Sequence, residues 1–357
     1  MITPGDRVPF YYGMTNERRF YSSEEQAGRT AILILGGALD RAILDPLLDA
    51  ASQAAASFRD QQADVLLLVT GHAARGGTRG VPDGIRLVDC NAAFFAQCGA
   101  TAEAPAILVT DRNLRVTARL VWDGGDPVTL VADLAHAAAA IGREPAGKCS
   151  LPAPVLMIPN LLDRPLCRHL IERFETMATF DSGVTGIDGD GQTRHRLDPQ
   201  KKRRRDCLLP PDDGLHAHVL DLIFRRGAPE IRKAFQHSIS HADRLLIARY
   251  DDTGGYFRRH RDNSGRDVAF RQFALSVNLN TEEYEGGNLL FPECNDHRYS
   301  PPAGGGIVFS ASLLHEVTPV TRGCRYVLLT FLHDTAAEAR RLLQQAEAEQ
   351  TLPAPTE

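Results

Sequence analysis

Apolar residues in the first part of this chain come in unbroken runs. Thr30-Ala31-Ile32-Leu33-Ile34-Leu35, Val65-Leu66-Leu67-Leu68-Val69 and Ala106-Ile107-Leu108-Val109 have the look of strands covered on both faces. Between the first two, Ile43, Leu47, Leu48, Ala51 and Ala55 recur at near-helical spacing and predict a helix over residues 41 to 62. A short helix is expected from about Cys90 to Cys98, and an alanine-rich one from about Pro127 to Ile141. Asp111-Arg112-Asn113 reads as a turn into a strand from Arg115 to Leu120. The order strand, helix, strand, helix, strand, strand, helix is that of an α/β layer fold.

Glycine and proline then crowd the stretch from Gly142 to Pro154, as in an interdomain linker. The expected division is a domain over 1–141, a linker over 142–154, a second domain over 155–335, and a terminal helix and tail over 336–357. The second domain opens with a helix capped by Asp163, with Pro165 in its first turn and Leu166, Leu170, Phe174 and Met177 on its buried stripe. Residues 181–200 are polar and glycine-rich, hence a loop and a candidate lid; helices are expected over about 213–226 and 229–236. From Arg244 onward the period falls to two: Phe273, Leu275, Val277 and Leu279 alternate with Ala274, Ser276, Asn278 and Asn280. Further short strands are expected at Leu245–Tyr250, Leu289–Phe291, Gly306–Ser310 and Tyr326–Phe331. Helices followed by many short strands fit a double-stranded β-helix, the jelly-roll barrel, whose mouth is a natural ligand site.

At 357 residues the chain exceeds one ordinary core and fits two domains. A net charge of −5 offers no global attraction to nucleic acid or anionic membrane. No apolar run has the length of a membrane span, and Met1–Asp6 lacks the basic then apolar start of a signal peptide. The seven cysteines are scattered and include no Cys-x-x-Cys, so neither a disulfide framework nor a zinc cage is indicated, and a reducing cytoplasm is the expected compartment. Lys201-Lys202-Arg203-Arg204-Arg205 is the sharpest charge run. It reads either as a basic rim for an acidic peptide, a phosphorylated substrate or nucleic acid, or as a solvated loop, and the acidic overall charge favours the loop.

The candidate chemistry lies in the second half. In Tyr256-Phe257-Arg258-Arg259-His260-Arg261-Asp262-Asn263, an extended backbone turns His260 and Asp262 to one face. His315 completes two histidines and one carboxylate, the set that holds non-haem Fe(II) on one side and leaves the other coordination positions open. Ten residues further on, Arg325 offers a guanidinium that can fork onto a carboxylate, which suits a dicarboxylate co-substrate.

These segments, with Arg249-Tyr250, Gly254-Gly255-Tyr256, Val277-Asn278-Leu279-Asn280, Glu285-Gly286-Gly287-Asn288-Leu289-Leu290-Phe291-Pro292 and Leu314-His315-Glu316-Val317-Thr318-Pro319-Val320, closely resemble the 2-oxoglutarate/Fe(II)-dependent dioxygenases of the prolyl 4-hydroxylase type. The resemblance covers roughly residues 155 to 333. It implies Fe(II) on His260, Asp262 and His315, 2-oxoglutarate paired with Arg325, O2 as oxidant and ascorbate as accessory reductant. It also implies that Tyr250 hydrogen-bonds the co-substrate, that Asn278 lines its pocket, and that Tyr256 and Arg271 line the substrate channel. The implied reaction hydroxylates a C–H bond and releases succinate and CO2. An amino-acid side chain of a protein or peptide is the leading substrate. A small metabolite is the alternative, and a non-catalytic binding or assembly protein a third, which the intact ligand set disfavours. The oligomeric state is left open.

The first half resembles the thioredoxin-like fold, in its peroxiredoxin branch, through Gly5-Asp6-Arg7-Val8-Pro9, the segment Ala104 to Asp111 and the turn after it. It departs where a peroxidatic cysteine would follow the first core strand, since residues 36 to 47 contain none. Cys90 remains, either as a thiolate near a helix N-terminus or as a packed small side chain, and packing is favoured. The expectation is a redox-inactive scaffold or docking domain.

Overall fold

The computed structural model describes residues 1–39, 41–71, 80–100, 105–142, 151–187 and 193–351. The chain forms two compact units, Met1–Ala146 and Gly147–Glu357. Most of the expected linker and the tail over 352–357 lie outside the described residues.

In the first unit the strands are β1 (Tyr12–Thr15), β2 (Phe20–Ser22), β3 (Thr30–Gly37), β4 (Ala63–Val69), β5 (Ile85–Cys90), β6 (Ala106–Thr110) and β7 (Val116–Val121). They make one sheet in the order β2-β1-β5-β4-β3-β6-β7, parallel across β3, β4 and β5 and antiparallel elsewhere. The unbroken apolar runs have a simple cause: both faces are covered. Ile32, Ile34, Val65 and Leu67 pack into one core, with residues of α1 (Arg41–Gln53), α2 (Ala55–Asp60) and α4 (Pro127–Ala139). Leu33, Leu35, Leu66 and Leu68 pack into the other, with Phe94, Phe95 and Cys98 of α3 (Ala92–Cys98). The helix expected over 41–62 is in fact two, interrupted at Ala54, where the backbone leaves helical geometry (φ −85°, ψ 1°).

The second unit begins with β8 (Val155–Ile158) and α5 (Arg164–Thr176), whose Asp163 cap accepts from the Leu166 N–H at 2.8 Å. Short strands follow: β9 (Phe180–Asp181), the hairpin β10 (Val184–Ile187) and β11 (Thr193–Arg196), β12 (Lys202–Arg203) and β13 (Arg205–Leu208). Part of the expected loop over 181–200 is thus a hairpin, while its residues 188–192 lie outside the described set. Helix α6 (Gly214–Leu222) runs through a π-helical turn, Ile223–Gly227, into α7 (Ala228–Phe235). Two helices were expected here with a gap between them; the wide turn instead precedes Pro229, which has no N–H to donate.

The remaining strands are β14 (His241–Ala242), β15 (Leu246–Asp251), β16 (Tyr256–His260), β17 (Phe273–Asn278), β18 (Glu285–Gly286), β19 (Leu289–Leu290), β20 (Gly306–Ser310), β21 (His315–Val317), β22 (Val320–Arg322) and β23 (Cys324–His333), before α8 (Thr335–Thr351). An antiparallel eight-stranded sheet has the order β8-β20-β17-β23-β15-β13-β9, with β14 on β23, and a four-stranded sheet the order β12-β16-β21-β19. Period-two alternation gives the larger sheet two kinds of face. Ile247, Leu275, Val277, Val308 and Leu328 pack against Leu170, Phe174, Val219 and Ile231 of the helices. Leu246, Ala248, Tyr250, Ala274, Ile307 and Phe309 pack with Leu289 and Val317 of the smaller sheet.

Candidate active site

A cavity of about 210 Å³ opens between these two sheets, lined by Tyr250, Ala274 and Thr330 of the larger and by Phe257, His260, His315 and Val317 of the smaller. His260 and His315 are direct cross-strand partners on β16 and β21, their ring centroids 4.2 Å apart. Phe257 stacks on His260, with centroids 3.4 Å apart, although strict alternation would turn residues three apart to opposite faces. A register shift between Phe257 and His260 removes the conflict. Asp262 lies just past the end of β16, where its N–H donates to the Ala311 carbonyl at 2.8 Å.

The Asp262 carboxylate faces both imidazoles, Oδ1 at 3.5 Å from His260 Nε2 and Oδ2 at 3.5 Å from His315 Nε2. All three side chains are nearly closed to solvent, at 10%, 12% and 5% exposed for His260, Asp262 and His315. One device orients both rings. His260 Nδ1 lies 2.7 Å from the Arg258 carbonyl and His315 Nδ1 3.0 Å from the Leu313 carbonyl, so each Nδ1–H donates to the residue two before it. Each Nε2 is then left as a bare lone pair aimed at the shared point, the arrangement that metal-binding histidines adopt.

Electrostatics agrees with that tautomer. Burial pushes the His260 pKa down to about 4, so the ring is neutral at physiological pH. Burial alone would raise the Asp262 pKa, but the flanking His315 and His260 rings and the Arg271 charge more than offset it and hold the carboxyl well below its ordinary range. Ligand atoms of the trio lie within 4.8 Å of one another. Metal–ligand bonds of roughly 2.1 Å put neighbouring corners of an octahedron about 3 Å apart, so the donor set fits a divalent ion once the three groups draw inward.

Arg325 lies across the cavity from the trio's strands, on β23, paired in register with Tyr250. It is 2% exposed, donates to Asn278 Oδ1 at 3.0 Å and covers the Tyr250 ring at 5.2 Å. Its Nε has no hydrogen-bond partner, and among the described residues no carboxylate pairs with it. A buried guanidinium in that state is a place prepared for an anion. Tyr250 lines the cavity, and its hydroxyl accepts from Arg204 at 3.3 Å.

Two residues need correction. Asn278 does not line the cavity: it sits behind Arg325, its amide donating to the Pro301 carbonyl at 3.0 Å. Tyr256 turns away from the cavity, its hydroxyl donating to the carbonyls of Pro199 and Gln200. Arg271 does line the cavity; it precedes β17, so the alternation along that strand does not govern it. It pairs with Asp243 at 2.6 Å and lies 3.8 Å over the Phe331 ring. The basic run is not a solvated loop. Lys202, Arg204 and Asp206 turn inward on alternate positions, and Arg204, 7% exposed in its side chain, pairs with Asp206 at 2.6 Å. The period of two inside that run was the signal available in the sequence.

In the first unit Cys90 is 3% exposed at the end of β5, and burial pushes its thiol up to about 12, so it carries no thiolate.

Two imidazoles, a carboxylate and a guanidinium with no carboxylate partner among the described residues, around one cavity, make up the site of a metal-dependent enzyme that takes an acidic co-substrate. The model of the 2OG-Fe(II) oxygenase superfamily matches residues 245–333. A PKHD-type hydroxylase of Paracoccus denitrificans is 37% identical over 180 residues, which cover 48% of this chain and 74% of that relative. A solved prolyl-4-hydroxylase from Pseudomonas putida aligns with 51% of this chain and 93% of its own, at 19% identity and a TM-score of 0.38. A solved thiol:disulfide interchange protein DsbE from Chlorobium tepidum aligns with 39% of this chain and 99% of its own, at 14% identity and a TM-score of 0.34. The chain belongs to the 2OG-Fe(II) oxygenase superfamily. It is an Fe(II)- and 2-oxoglutarate-dependent dioxygenase, a hydroxylase whose family chemistry uses O2. No described helix is long and apolar enough to cross a membrane.

Proposed function

We propose that this chain hydroxylates an unactivated C–H bond of a substrate admitted between the two sheets. His260, Asp262 and His315 hold Fe(II), and Arg325 receives the distal carboxylate of 2-oxoglutarate. The observation that carries this reading is the pairing of a dry, lone-pair-presenting trio with a buried guanidinium that has no carboxylate partner among the described residues. When bound, the iron couples O2 to the decarboxylation of 2-oxoglutarate into succinate and CO2 and to oxygen insertion.

The chain's own residues supply position and dryness. Arg258 and Leu313 carbonyls fix the two imidazoles, and Phe257 closes over one of them. Asn278 holds the Arg325 fork in place, while Tyr250 supports its face and offers a hydroxyl to the co-substrate. Ascorbate serves as accessory reductant.

For the substrate, the resemblance to prolyl 4-hydroxylases suggests an amino-acid side chain of a protein or peptide. The cationic lining of the cavity favours a second reading, a small metabolite. The paired antiparallel sheets support a double-stranded β-helix for the second unit. The parallel β3, β4 and β5, extended by antiparallel β6 and β7 and covered by helices on both faces, support a thioredoxin-like first unit. Its buried thiols support a redox-inactive scaffold or docking role. The unpaired described cysteines fit a reducing cytoplasm. The test is 2-oxoglutarate turnover: the full chain should release succinate only with Fe(II), and Asp262→Ala should release none. Normal succinate production by that variant would overturn the assignment.

A further inference from the structure

The charges around the cavity do not balance. Seven cationic side chains line it against one carboxylate, Asp262. Three of the seven have carboxylate partners outside the lining: Arg204 with Asp206, Arg271 with Asp243 and Arg261 with Glu293. Arg325 is accounted for by the co-substrate. Lys201, Lys202 and Arg244 have no ion pair among the described residues and no task in the reaction described so far; of the two lysines, Lys201 is the more exposed and Lys202 the buried one.

Lys202 is an unusual place for a lysine. It is 8% exposed, stands directly across from Phe257 on the neighbouring strand, and holds its ammonium 4.6 Å over that ring. One of its three N–H groups reaches the Gly183 carbonyl at 3.1 Å. Burial, reinforced by the nearby Arg204, pushes its pKa well below the ordinary lysine value. An ammonium kept there is unfavourable until an anion arrives. Arg244 stands at the solvent-facing edge of the same cavity, its guanidinium 6.0 Å from the Phe331 ring centre.

The two cationic ends are well separated. Arg325 is in register with Tyr250, six residues along the chain from Arg244, and a strand rises about 3.3 Å per residue, so the backbone positions lie roughly 20 Å apart. An acid bound at Arg244 therefore leaves the Arg325 end free for a second one.

We propose that the primary substrate is a small organic acid, whose carboxylate or phosphate is received by Lys202 and Arg244 while 2-oxoglutarate occupies Arg325. This rests on the oxygenase reading and adds the substrate class to it. The size of the substrate follows from burial. Lys202 is 8% exposed inside a cavity of about 210 Å³, so the acidic group that meets its ammonium must be a small one that enters the cavity.

The test uses the full chain with Fe(II) and 2-oxoglutarate bound, under nitrogen, at constant ionic strength. Butyrate, inorganic phosphate and neutral butyramide are titrated while the melting temperature is followed. Butyrate or phosphate should raise it to a plateau and butyramide should not; the stronger of the two identifies the oxyanion. Lys202→Met and Arg244→Met should each weaken the effect at least about tenfold. Lys202→Met removes a desolvated charge and keeps an apolar stem of similar length, so it is expected to fold. If neither anion moves the melting temperature, the proposal is overturned. In a second arm, in air, cell extract is split by charge and at about 1 kDa, the scale of a small metabolite rather than a protein. The small anionic fraction should drive succinate release, and both variants should need more of it. Release driven instead by a neutral or an acidic peptide fraction, equally in wild type and variants, overturns the small-acid proposal. Anion binding that depends on Lys202 and Arg244, with no succinate from any fraction, upholds the anion site and removes the oxygenase reading beneath it.

Discussion

Replacing Arg325 by methionine separates its binding role from a packing role. The residue is 2% exposed, so water cannot replace its N–H donors, and one of its Nη groups is already committed to Asn278 at 3.0 Å. A carboxylate that docks here exchanges charge-assisted bonds with a desolvated guanidinium. Truncating one partner of such a pair costs about 2 to 4 kcal/mol. At 1.4 kcal/mol per factor of ten, that is roughly a 30- to 700-fold loss of 2-oxoglutarate affinity. In the protein without co-substrate two effects oppose each other. An uncompensated buried charge disappears, which stabilises the fold, while Asn278 Oδ1 loses its donor at a cost of about 1 to 3 kcal/mol. The melting temperature should therefore move by only about 5 °C in either direction. Calorimetric titration of 2-oxoglutarate into the Fe(II)-loaded protein under nitrogen measures the first quantity and thermal unfolding the second. An affinity within about threefold of wild type, less than 1 kcal/mol by the same conversion, in a normally folded variant would refute the assignment.

Other outcomes follow from particular contacts. Asn278→Ala, which frees the guanidinium without removing it, should weaken 2-oxoglutarate binding by about tenfold, the worth of one hydrogen bond to a charged group, as read by the same titration. Gly287 has a φ of +60°, and a Cβ there would stand 2.8 Å from Arg325 Cδ. Gly287→Ala should thus raise the half-saturating 2-oxoglutarate concentration as well as lower the melting temperature; a change in melting temperature alone would contradict the contact. Burial raises the Cys90 and Cys98 thiols to about 12. At pH 8 both should stay unmodified by iodoacetamide until the protein is denatured, and mass spectrometry of labelled peptides checks this.

Much of this site can be read from the residues because its logic is local. The His260 and Asp262 spacing, the glycines of the Glu285-Gly286-Gly287 turn and the alternation along β17 each follow from backbone geometry over a few residues. Gly286, at φ +79°, shows why: a Cβ there would lie 2.2 Å from the Pro319 carbonyl. What escaped the sequence depends on distant partners. Asn278 reads as a cavity residue until Arg325 is seen in front of it, and Tyr256 until the Pro199 and Gln200 carbonyls are found behind its hydroxyl. The basic run reads as a loop because its countercharge, Asp206, lies beyond the run and its aromatic partner, Phe257, is on another strand. The bulge between Phe257 and His260 has no mark in the sequence, yet it brings both rings to one face.

The central claim is that three side chains hold one ferrous ion. Its most direct test is the iron content of the full chain after anaerobic loading with Fe(II) and removal of the excess, in wild type and in Asp262→Ala and His315→Ala. One iron per wild-type chain and almost none in either variant is the expected result. Retention of equimolar iron by both variants, with folding intact by circular dichroism, would mean that the metal is held elsewhere.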